Sequence, residues 1–394
     1  MNLGEASRVA VTAITANRLR SALTVLGVVI GVMSVVLLVA VGSGARNVVT
    51  AGVEDLGSNL LLVVPGNFEF GQAPTISKFT LDDAERIERD LRGRASVTAS
   101  LVSGETVRAG SVSAFASVLG VTAPFDTVLN RQVGRGEFLT DSDIATGRRV
   151  AVLGSSAARA LFPGGDPIGK DVTVAGLRFR VIGVLGQLGA ALGVDRDSQV
   201  LVPITAAQRL FGTRRVDTIF VKAPDAAQLP PLTRQIKRIL AERLDRGEYG
   251  VVTQDEILGV AGDILSTLTL VLAAIAGISL LVGGIGVSNI MLVSVQERTR
   301  EIGLRKALGA RTRDITAQFL VEAIVLCGVG GVLGIAVGVG LAEAAAAFTP
   351  LPAAVTGWSV ALAFAVSVGV GIVFGVFPAR RAGRLDPVVA LRYE

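Results

Sequence analysis

The chain contains no histidine and only one cysteine among its 394 residues. The missing imidazole excludes Ser-His triads, Cys-His dyads and histidine metal sites. Cys327 has no second cysteine for an intramolecular disulfide, and its position inside an apolar run favours a small packed residue. We therefore expect no catalytic residue, no metal site and no cofactor.

Charge is scarce as well, since only 18% of the residues are charged, 51% are hydrophobic and the mean hydropathy is +0.60. A soluble domain has about a quarter of its residues charged, so the deficit indicates a membrane protein that lies in a lipid bilayer. The net charge is +5. The arginines gather at the ends of apolar runs rather than among aromatic residues, so nucleic-acid binding is not expected.

Long apolar runs are present, and each of them is long enough to span a bilayer. The predicted spans cover residues 21–45, 264–296, 315–341 and 358–378. The first run could instead be a cleavable signal peptide, but it exceeds the about 7–15 apolar residues of such peptides, which favours an uncleaved span. Trp358, at the start of the last run, is typical of an interfacial anchor.

The arginine-rich segments predict the orientation of the chain. Residues 1–20 combine arginines with apolar positions, which indicates an amphipathic helix along the membrane surface. Residues 297–313 and the tail 379–394 are also rich in arginine, whereas the connection 342–357 contains no lysine or arginine. Both termini and the segment 297–313 are therefore predicted to be cytoplasmic, with residues 46–255 outside.

Residues 46–255 change character, because charges return and short apolar runs alternate with turns. A helix is predicted to open at Thr80, with Asp83 in capping-box position, and a second covers Leu232–Leu244. Short helical turns are expected at 155–161 and 205–211. Strands are predicted at 60–64, 97–102, 114–121, 150–153, 172–174, 179–185, 200–202 and 218–221. The pattern predicts a soluble α+β domain inserted between the first and second spans.

One stretch of this domain imitates a phosphate-binding loop. Gly164–Lys170 fits the spacing GxxxxGK, but Asp171 follows where Ser or Thr would ligate Mg²⁺, and a carboxylate there would repel phosphate. A Gly/Pro turn is the favoured interpretation. The chain is therefore not expected to bind nucleotide or to act as an enzyme itself.

Three pairs of carboxylates could in principle bind metal or act as acid and base. Their polar, turn-like surroundings favour solvated loops and helix starts instead. The pairs are Asp82 with Asp83, Asp141 with Asp143, and Asp195 with Asp197.

A dense alternation of glutamate and arginine interrupts the apolar sequence between the second and third spans. Glu301 precedes Arg305 by four residues, a stabilising order in a helix, and Gly309 stands where the helix should stop. The segment also has an apolar surface that a plain solvated connection, the alternative interpretation, would not need; it is formed by Ile302, Leu304, Ala307 and Leu308. We predict a contact helix for a driving partner at 297–313, with Glu297, Arg298, Arg300, Glu301, Arg305, Lys306 and Gly309 as its candidate residues.

Glu322 is an acidic residue near the start of the third span. Two interpretations are open: a functional group inside the membrane, or a carboxylate that snorkels or pairs with an arginine of 297–313. Glycines spaced by four residues predict close packing against neighbouring helices. They are Gly27 and Gly31 in the first span and Gly330, Gly334 and Gly338 in the third.

Several long stretches resemble the MacB/FtsX-like permeases of ABC transporters, the type VII or mechanotransmission family. They are SNIMLVSVQERTREIGLRKALGARTRDITAQFLVEAIVL from Ser288, FPARRAGRLDPVVALRYE from Phe377, NRLRSALTVLGVVIGVMSVVLLVAVGSGA from Asn17 and GRGEFLTDSDIATGRRVAVLGSSAARALFPGGDPIGKDVTVAGLRFRVIGVLG from Gly134. The resemblance covers nearly the whole chain. MacB itself carries an N-terminal ATPase, and this chain begins at the permease, so a separately encoded ATPase is expected.

This resemblance implies a permease in the bacterial plasma (inner) membrane, paired with an ABC ATPase dimer and with a second permease copy or a paralogue. ATPase closure would press on residues 297–313, and the first two spans would pass the movement outward, for export of a drug, peptide or lipid-modified substrate. A periplasmic adaptor is a further candidate partner. The outer domain would divide into a Porter-like part, residues 57–112 and 197–255, and a Sabre-like insertion between them. The alternative function is a membrane signalling or scaffold protein that controls a cell-envelope enzyme.

Overall fold

The computed structural model of the protein describes residues 18–54, 58–66, 75–191, 194–245, 247–349 and 352–391. The chain divides into two compact units, and one of them takes residues 48–263 while the other takes the residues before and after. The amphipathic helix predicted for residues 1–20 lies outside the described residues, except for its last three positions.

Long helices make up the first unit. Among the described residues, α1, α8, α10 and α11 are long and apolar enough to cross a membrane, which confirms the four predicted spans. The short helices α9 and α12 follow α8 and α11. The bounds are α1 Arg18–Glu54, α8 Gln254–Glu297, α9 Thr299–Ala307, α10 Thr312–Phe348, α11 Gly357–Gly383 and α12 Pro387–Leu391.

These helices extend beyond the apolar runs that predicted them. The clearest case is α8, which begins at Gln254, ten residues before the predicted span. Thr253 and Glu256 cap its start, because the Glu256 carboxylate accepts from Thr253 N at 2.7 Å and Thr253 Oγ1 accepts from Glu256 N at 3.2 Å. Hydropathy measures the preferred solvent, so it cannot detect a helix that continues into water.

The second unit is a mixed domain of helices and strands between the first and second spans, which confirms the predicted α+β insertion; it is called the α/β domain below. Its helices are α2 Leu81–Leu91, α3 Phe125–Val128, α4 Asp141–Thr146, α5 Ser155–Leu161, α6 Ile204–Phe211 and α7 Leu229–Ala241. Its strands are β1 Leu60–Pro65, β2 Ser96–Ala109, β3 Val112–Val121, β4 Val133–Gly136, β5 Val150–Leu153, β6 Asp171–Val174, β7 Leu177–Leu185, β8 Ala190–Ala191, β9 Val194–Asp195, β10 Gln199–Pro203, β11 Thr218–Lys222 and β12 Tyr249–Thr253. All eight predicted strands are present, whereas β4, β8, β9 and β12 were not predicted.

Ten of the described strands form one sheet in the order β12-β1-β11-β2-β3-β10-β5-β7-β4, with β6 paired to both β2 and β7. The pairs β10–β3 and β5–β7 are parallel, and the other pairs are antiparallel. The hairpin of β2 and β3 runs from Ser100 opposite Val121 to Ala109 opposite Val112. The expected Porter/Sabre boundary near residue 112 lies at its turn, and that division remains a prediction.

Successive side chains of a strand point to opposite faces of the sheet, and an apolar core covers each face. In β5, Ala151 and Leu153 join the larger core, whereas Val150 and Val152 join the core on the opposite face. Helices α2 and α7 bury apolar stripes in the larger core, and α3 contributes to the smaller one. The period of two in the sequence therefore decides which side chain belongs to which core.

Candidate functional site

The candidate contact helix α9 is a separate short helix between two spans. Its junction with α8 is at Arg298, whose φ of −103° and ψ of 14° depart from helical values. Hydrogen bonds still cross the junction, from Arg298 N to Ser294 O at 3.1 Å and from Ile302 N to Arg298 O at 3.0 Å. At the other end, Gly309 takes a φ of 99°, a conformation that a residue with a Cβ rarely adopts.

One face of α9 packs against the tail of the same chain. Ile302 is 1% exposed, and the neighbouring Gly303 is buried against α12. A Cβ on Gly303 would lie 2.8 Å from the Cβ of Ala390. The sequence did not indicate this contact, because small residues far apart along the chain carry no pairing signal.

Arg298 and Glu322 form an ion pair at the start of α10. The Arg298 guanidinium lies 3.4 Å from the Glu322 carboxylate, and the Glu322 side chain is 10% exposed. Glu322 therefore pairs with an arginine of the 297–313 segment, as the second of the two interpretations of this acid expects. A buried carboxylate with a cationic partner avoids the large cost of an isolated buried charge.

Arg305 and Lys306 also bond within the chain. Arg305 donates to the Gln318 side chain at 2.9 Å and to Glu301 at 2.5 Å. The Lys306 ammonium donates to the carbonyls of Gly383 at 2.6 Å and Leu385 at 2.8 Å. These two cations, with Arg298, therefore join α9 to α10 and to the end of α11.

The opposite face of α9 is exposed. Leu304 is 54% and Leu308 81% exposed, and Arg300 is exposed one turn before them. Residues spaced by four lie on one face of a helix, so these three form a continuous surface, here named the outward stripe. Glu297 and Glu301 flank it.

The predicted packing glycines lie where helices approach closely. A Cβ on Gly334 would lie 2.9 Å from the Cβ of Val32, and Gly330 and Gly338 face Val28 and Val36 in the same way. The residue numbers of the two helices rise together along this contact, so α1 and α10 run in the same direction. Gly27 lies against Gly283, and Gly31 against Leu280. There the numbers run oppositely, so α1 and α8 are antiparallel.

One carboxylate of each pair in the α/β domain is buried, with Asp83 and Asp143 4% exposed and Asp197 0% exposed, so the prediction of solvated loops is wrong for these three residues. Asp83 caps α2 from the N3 position and pairs with Arg243. Asp143 caps α4 in the same way and pairs with Arg148. Burial raises the pKa of Asp143, but hydrogen bonds from Thr140 and Arg148 outweigh it and bring the pKa below the usual value. Asp197 accepts from the backbone N–H groups of the loop at Leu188 and Gly189. In the part of the chain that the structure describes, no group of three or more acidic or cysteine side chains could hold a metal ion.

The stretch Gly164–Lys170 is a turn between α5 and β6. Gly164 and Gly169 have positive φ values of 73° and 78°, and the strand β6 follows at Asp171. A phosphate loop instead leads into a helix whose N-terminus faces the anion. The geometry agrees with the turn interpretation.

The comparisons with known families cover both units. The MacB-like periplasmic core domain matches residues 21–239, and the FtsX-like permease C-terminal domain matches residues 273–387. The chain belongs to the MacB/FtsX-like permease family of ABC transporters. As such a permease, with four apolar helices, it is a protein of the bacterial inner membrane.

Relatives of this permease extend beyond the length of the chain. The macrolide export ATP-binding/permease protein MacB of Azoarcus sp. is 41% identical over 396 residues, which cover 100% of this chain and 60% of that protein. The pyoverdine export ATP-binding/permease protein PvdT of Pseudomonas putida is 41% identical over 392 residues, which cover 96% of this chain and 58% of that protein. The chain thus spans about three fifths of the length of these relatives.

Among solved structures, the periplasmic region of MacB from Actinobacillus actinomycetemcomitans is similar to this permease. Its sequence identity is 24% and its TM-score 0.45, and the match covers 53% of this chain and 95% of that one. In this permease, α9, α10 and α11 all lie within the FtsX-like match.

Proposed function

We propose that this chain is the permease of an ABC exporter and that its helix α9 receives the movement of an ABC ATPase dimer. A second copy or a paralogue of the permease completes the assembly, and the movement drives the outer α/β domain. The observation that carries the proposal is the outward stripe. Leu304 and Leu308 are exposed on a helix whose other face is fixed to the same chain.

The dimensions of α1 and α8 support this route. At about 1.5 Å per residue, the 37 residues of α1 and the 44 residues of α8 give helices of roughly 55 and 65 Å. The hydrocarbon core of a bilayer is about 30 Å thick. Helix α8 begins at the residue that follows strand β12, so the chain connects this span to the sheet without an intervening loop.

The names of the relatives support export as the direction and a large organic molecule as the substrate. They name macrolides in one case and pyoverdine in the other. Both names also contain the words ATP-binding and permease, which agrees with a permease driven by ATP hydrolysis.

The outward stripe provides the test. Leu308→Asp and Arg300→Glu change exposed side chains, so folding should be retained. Both are expected to lower co-purification with the ATPase and to reduce permease-dependent ATP hydrolysis by about tenfold, which corresponds to about 1.4 kcal/mol of lost contact energy. ATPase assays on the complex in nanodiscs measure the effect.

The matched control is Arg381→Glu, which reverses the charge of an exposed residue near the end of α11, outside residues 297–313, and should leave the coupling intact. If the ATPase complexes of both stripe variants hydrolyse ATP and export substrate as the parent complex does, α9 is not the coupling element. If deletion of the chain leaves export unchanged but alters a cell-envelope enzyme, the signalling function replaces the proposed one.

A further inference from the structure

Lys306 is the residue of α9 that contacts the end of the last span. Its ammonium lies 2.6 Å from the Gly383 carbonyl oxygen and 2.8 Å from that of Leu385. The side chain is partly buried, although its place in a charged segment predicted an exposed contact residue. The structure thus places this ammonium against two carbonyls of the same chain.

Of the two carbonyls that Lys306 reaches, that of Gly383 is the last of α11, and that of Leu385 lies in the connection to α12. A helix ends with carbonyl groups that lack intrahelical donors. The carbonyls of Arg380, Arg381 and Ala382 receive the N–H groups of Arg384 and Leu385. The next carbonyl, that of Gly383, receives the ammonium, and a cation at this end also interacts favourably with the helix dipole.

Close packing surrounds this contact. A Cβ on Gly383 would lie 2.3 Å from Thr316 Oγ1 on α10, so the end of α11 touches the start of α10. Ala379 and Ala382 are fully buried, and Ala390 is 1% exposed beside Gly303. Gly303 and Gly383 therefore allow α9 to approach α12, and the end of α11 to approach the start of α10, closely.

We propose that Lys306 is a positioning residue that fastens α9 to the C-terminal end of α11, so that α9 and residues 379–391 move as one body during the ATPase cycle. The inference rests on the proposed function of α9. It gives the last span and the tail a part in transmitting the movement of the ATPase. Helices α8 and α10, which precede and follow α9 along the chain, are the direct route.

The first measurement needs no substitution at residue 306. In the full chain with Cys327→Ala, spin labels at Ala307→Cys and Arg384→Cys, both exposed positions, report the distance between α9 and the end of α11. The complex with the co-purifying ATPase is compared without nucleotide and trapped with ATP and vanadate. We expect the same narrow distance distribution in both states, and a distance that changes between them would overturn the proposal.

The second measurement removes the fastening. Lys306→Met keeps the aliphatic stem but has no donor, so it should broaden the distance distribution and lower permease-dependent ATP hydrolysis by about tenfold, the scale of a lost charged hydrogen bond. Lys306→Arg can still donate to both carbonyls and should restore the narrow distribution and the coupling. If Lys306→Met proves unstable, Lys306→Gln, which keeps a shorter donor, should give an intermediate distribution.

The control is Arg381→Met, which removes one positive charge from an exposed position on the same helix end and should behave as the parent protein does. A narrow distribution and full coupling in Lys306→Met would contradict the proposal. The failure of the proposed function is distinguishable, because Leu308→Asp would then have no effect on ATP hydrolysis while the nucleotide-free distances would still report whether Lys306 fastens α9.

Discussion

Individual residues of α9 have different surroundings although charged residues occur along the whole segment. At 100° per residue, Arg298, Ile302 and Arg305 lie on one face of a helix, and Arg300, Leu304 and Leu308 lie on another. The first set is buried or bonded within the chain, and the second is exposed. Ile302 was the signal that could have identified the inner face, because a buried isoleucine marks the side on which its helical neighbours also lie.

The ion pair between Arg298 and Glu322 leads to a prediction at this scale. Glu322→Ala leaves the Arg298 guanidinium, whose side chain is 24% exposed, without its counterion. The expected cost is about 2 kcal/mol, less than for a fully buried pair. The double variant with Arg298→Met should recover part of it, because the unpaired charge is gone. The fraction of folded protein after graded heating in detergent, read by size-exclusion chromatography, measures both.

Glu301→Ala is the matched control, since it removes an exposed carboxylate that also pairs with an arginine, Arg305. Pairs of this kind contribute about 0.3–0.5 kcal/mol. An equal loss of stability in Glu301→Ala and Glu322→Ala would contradict the assignment of Glu322 to a buried pair.

At the scale of the elements, glycines decide how closely the spans approach. Gly330, Gly334 and Gly338 present flat surfaces to three valines of α1, and Gly27 meets the backbone of Gly283 on the other side. Helices in a bilayer gain little from the hydrophobic effect, so close van der Waals packing has to hold them together. The packing of helix α1 therefore depends on small residues of its two neighbours, α8 and α10.

Gly334→Leu tests this packing. A Cβ at residue 334 would already lie 2.9 Å from the Val29 carbonyl oxygen, so a leucine should separate α1 from α10 and cost about 2 kcal/mol, within the usual range for overpacking. Gly340→Leu is the control on the same helix, where a Cβ would meet nothing within 4 Å. Thermal unfolding in nanodiscs compares the two, and equal stabilities would rule out the close contact.

For the whole molecule, the helix directions and the charge distribution lead to the same orientation. Helices α1 and α10 run in one direction and α8 in the other, so α9 lies on the same side of the membrane as the start of α1. The start of α1 with Arg18 and Arg20, the segment 297–313 and the end of α11 carry arginines on that side, and we propose from the positive-inside rule that it is the cytoplasmic side.

Cysteine labelling tests this orientation. With Cys327→Ala as the parent, Phe115→Cys in the α/β domain and Leu308→Cys on α9 occupy exposed positions. A membrane-impermeant maleimide added to cells should label residue 115 at once, and residue 308 only after the membrane is permeabilised. The unsubstituted parent should stay unlabelled. Labelling of residue 308 in intact cells would reverse the proposed orientation.

The sequence by itself determined the four spans, the α/β domain between the first two, and all eight predicted strands. Each of these depends on a local pattern: a long uncharged run, a period of two as in Val150–Leu153, or a cap such as Thr80 with Asp83. The long specific stretches also determined the family. Local patterns suffice here because they record which solvent and which backbone geometry each segment prefers.

Only the tertiary structure decided the rest. The start of α8 at Gln254, the order of the strands and the contact of Gly303 with Ala390 depend on surfaces that meet across long separations in the chain. The same holds for the contact of Lys306, because its position in a charged segment is typical of a solvated lysine. Lys306 is directed inward because the carbonyls of Gly383 and Leu385 lie within its reach, and the packing of α9 against the end of α11 and the tail is what brings them there.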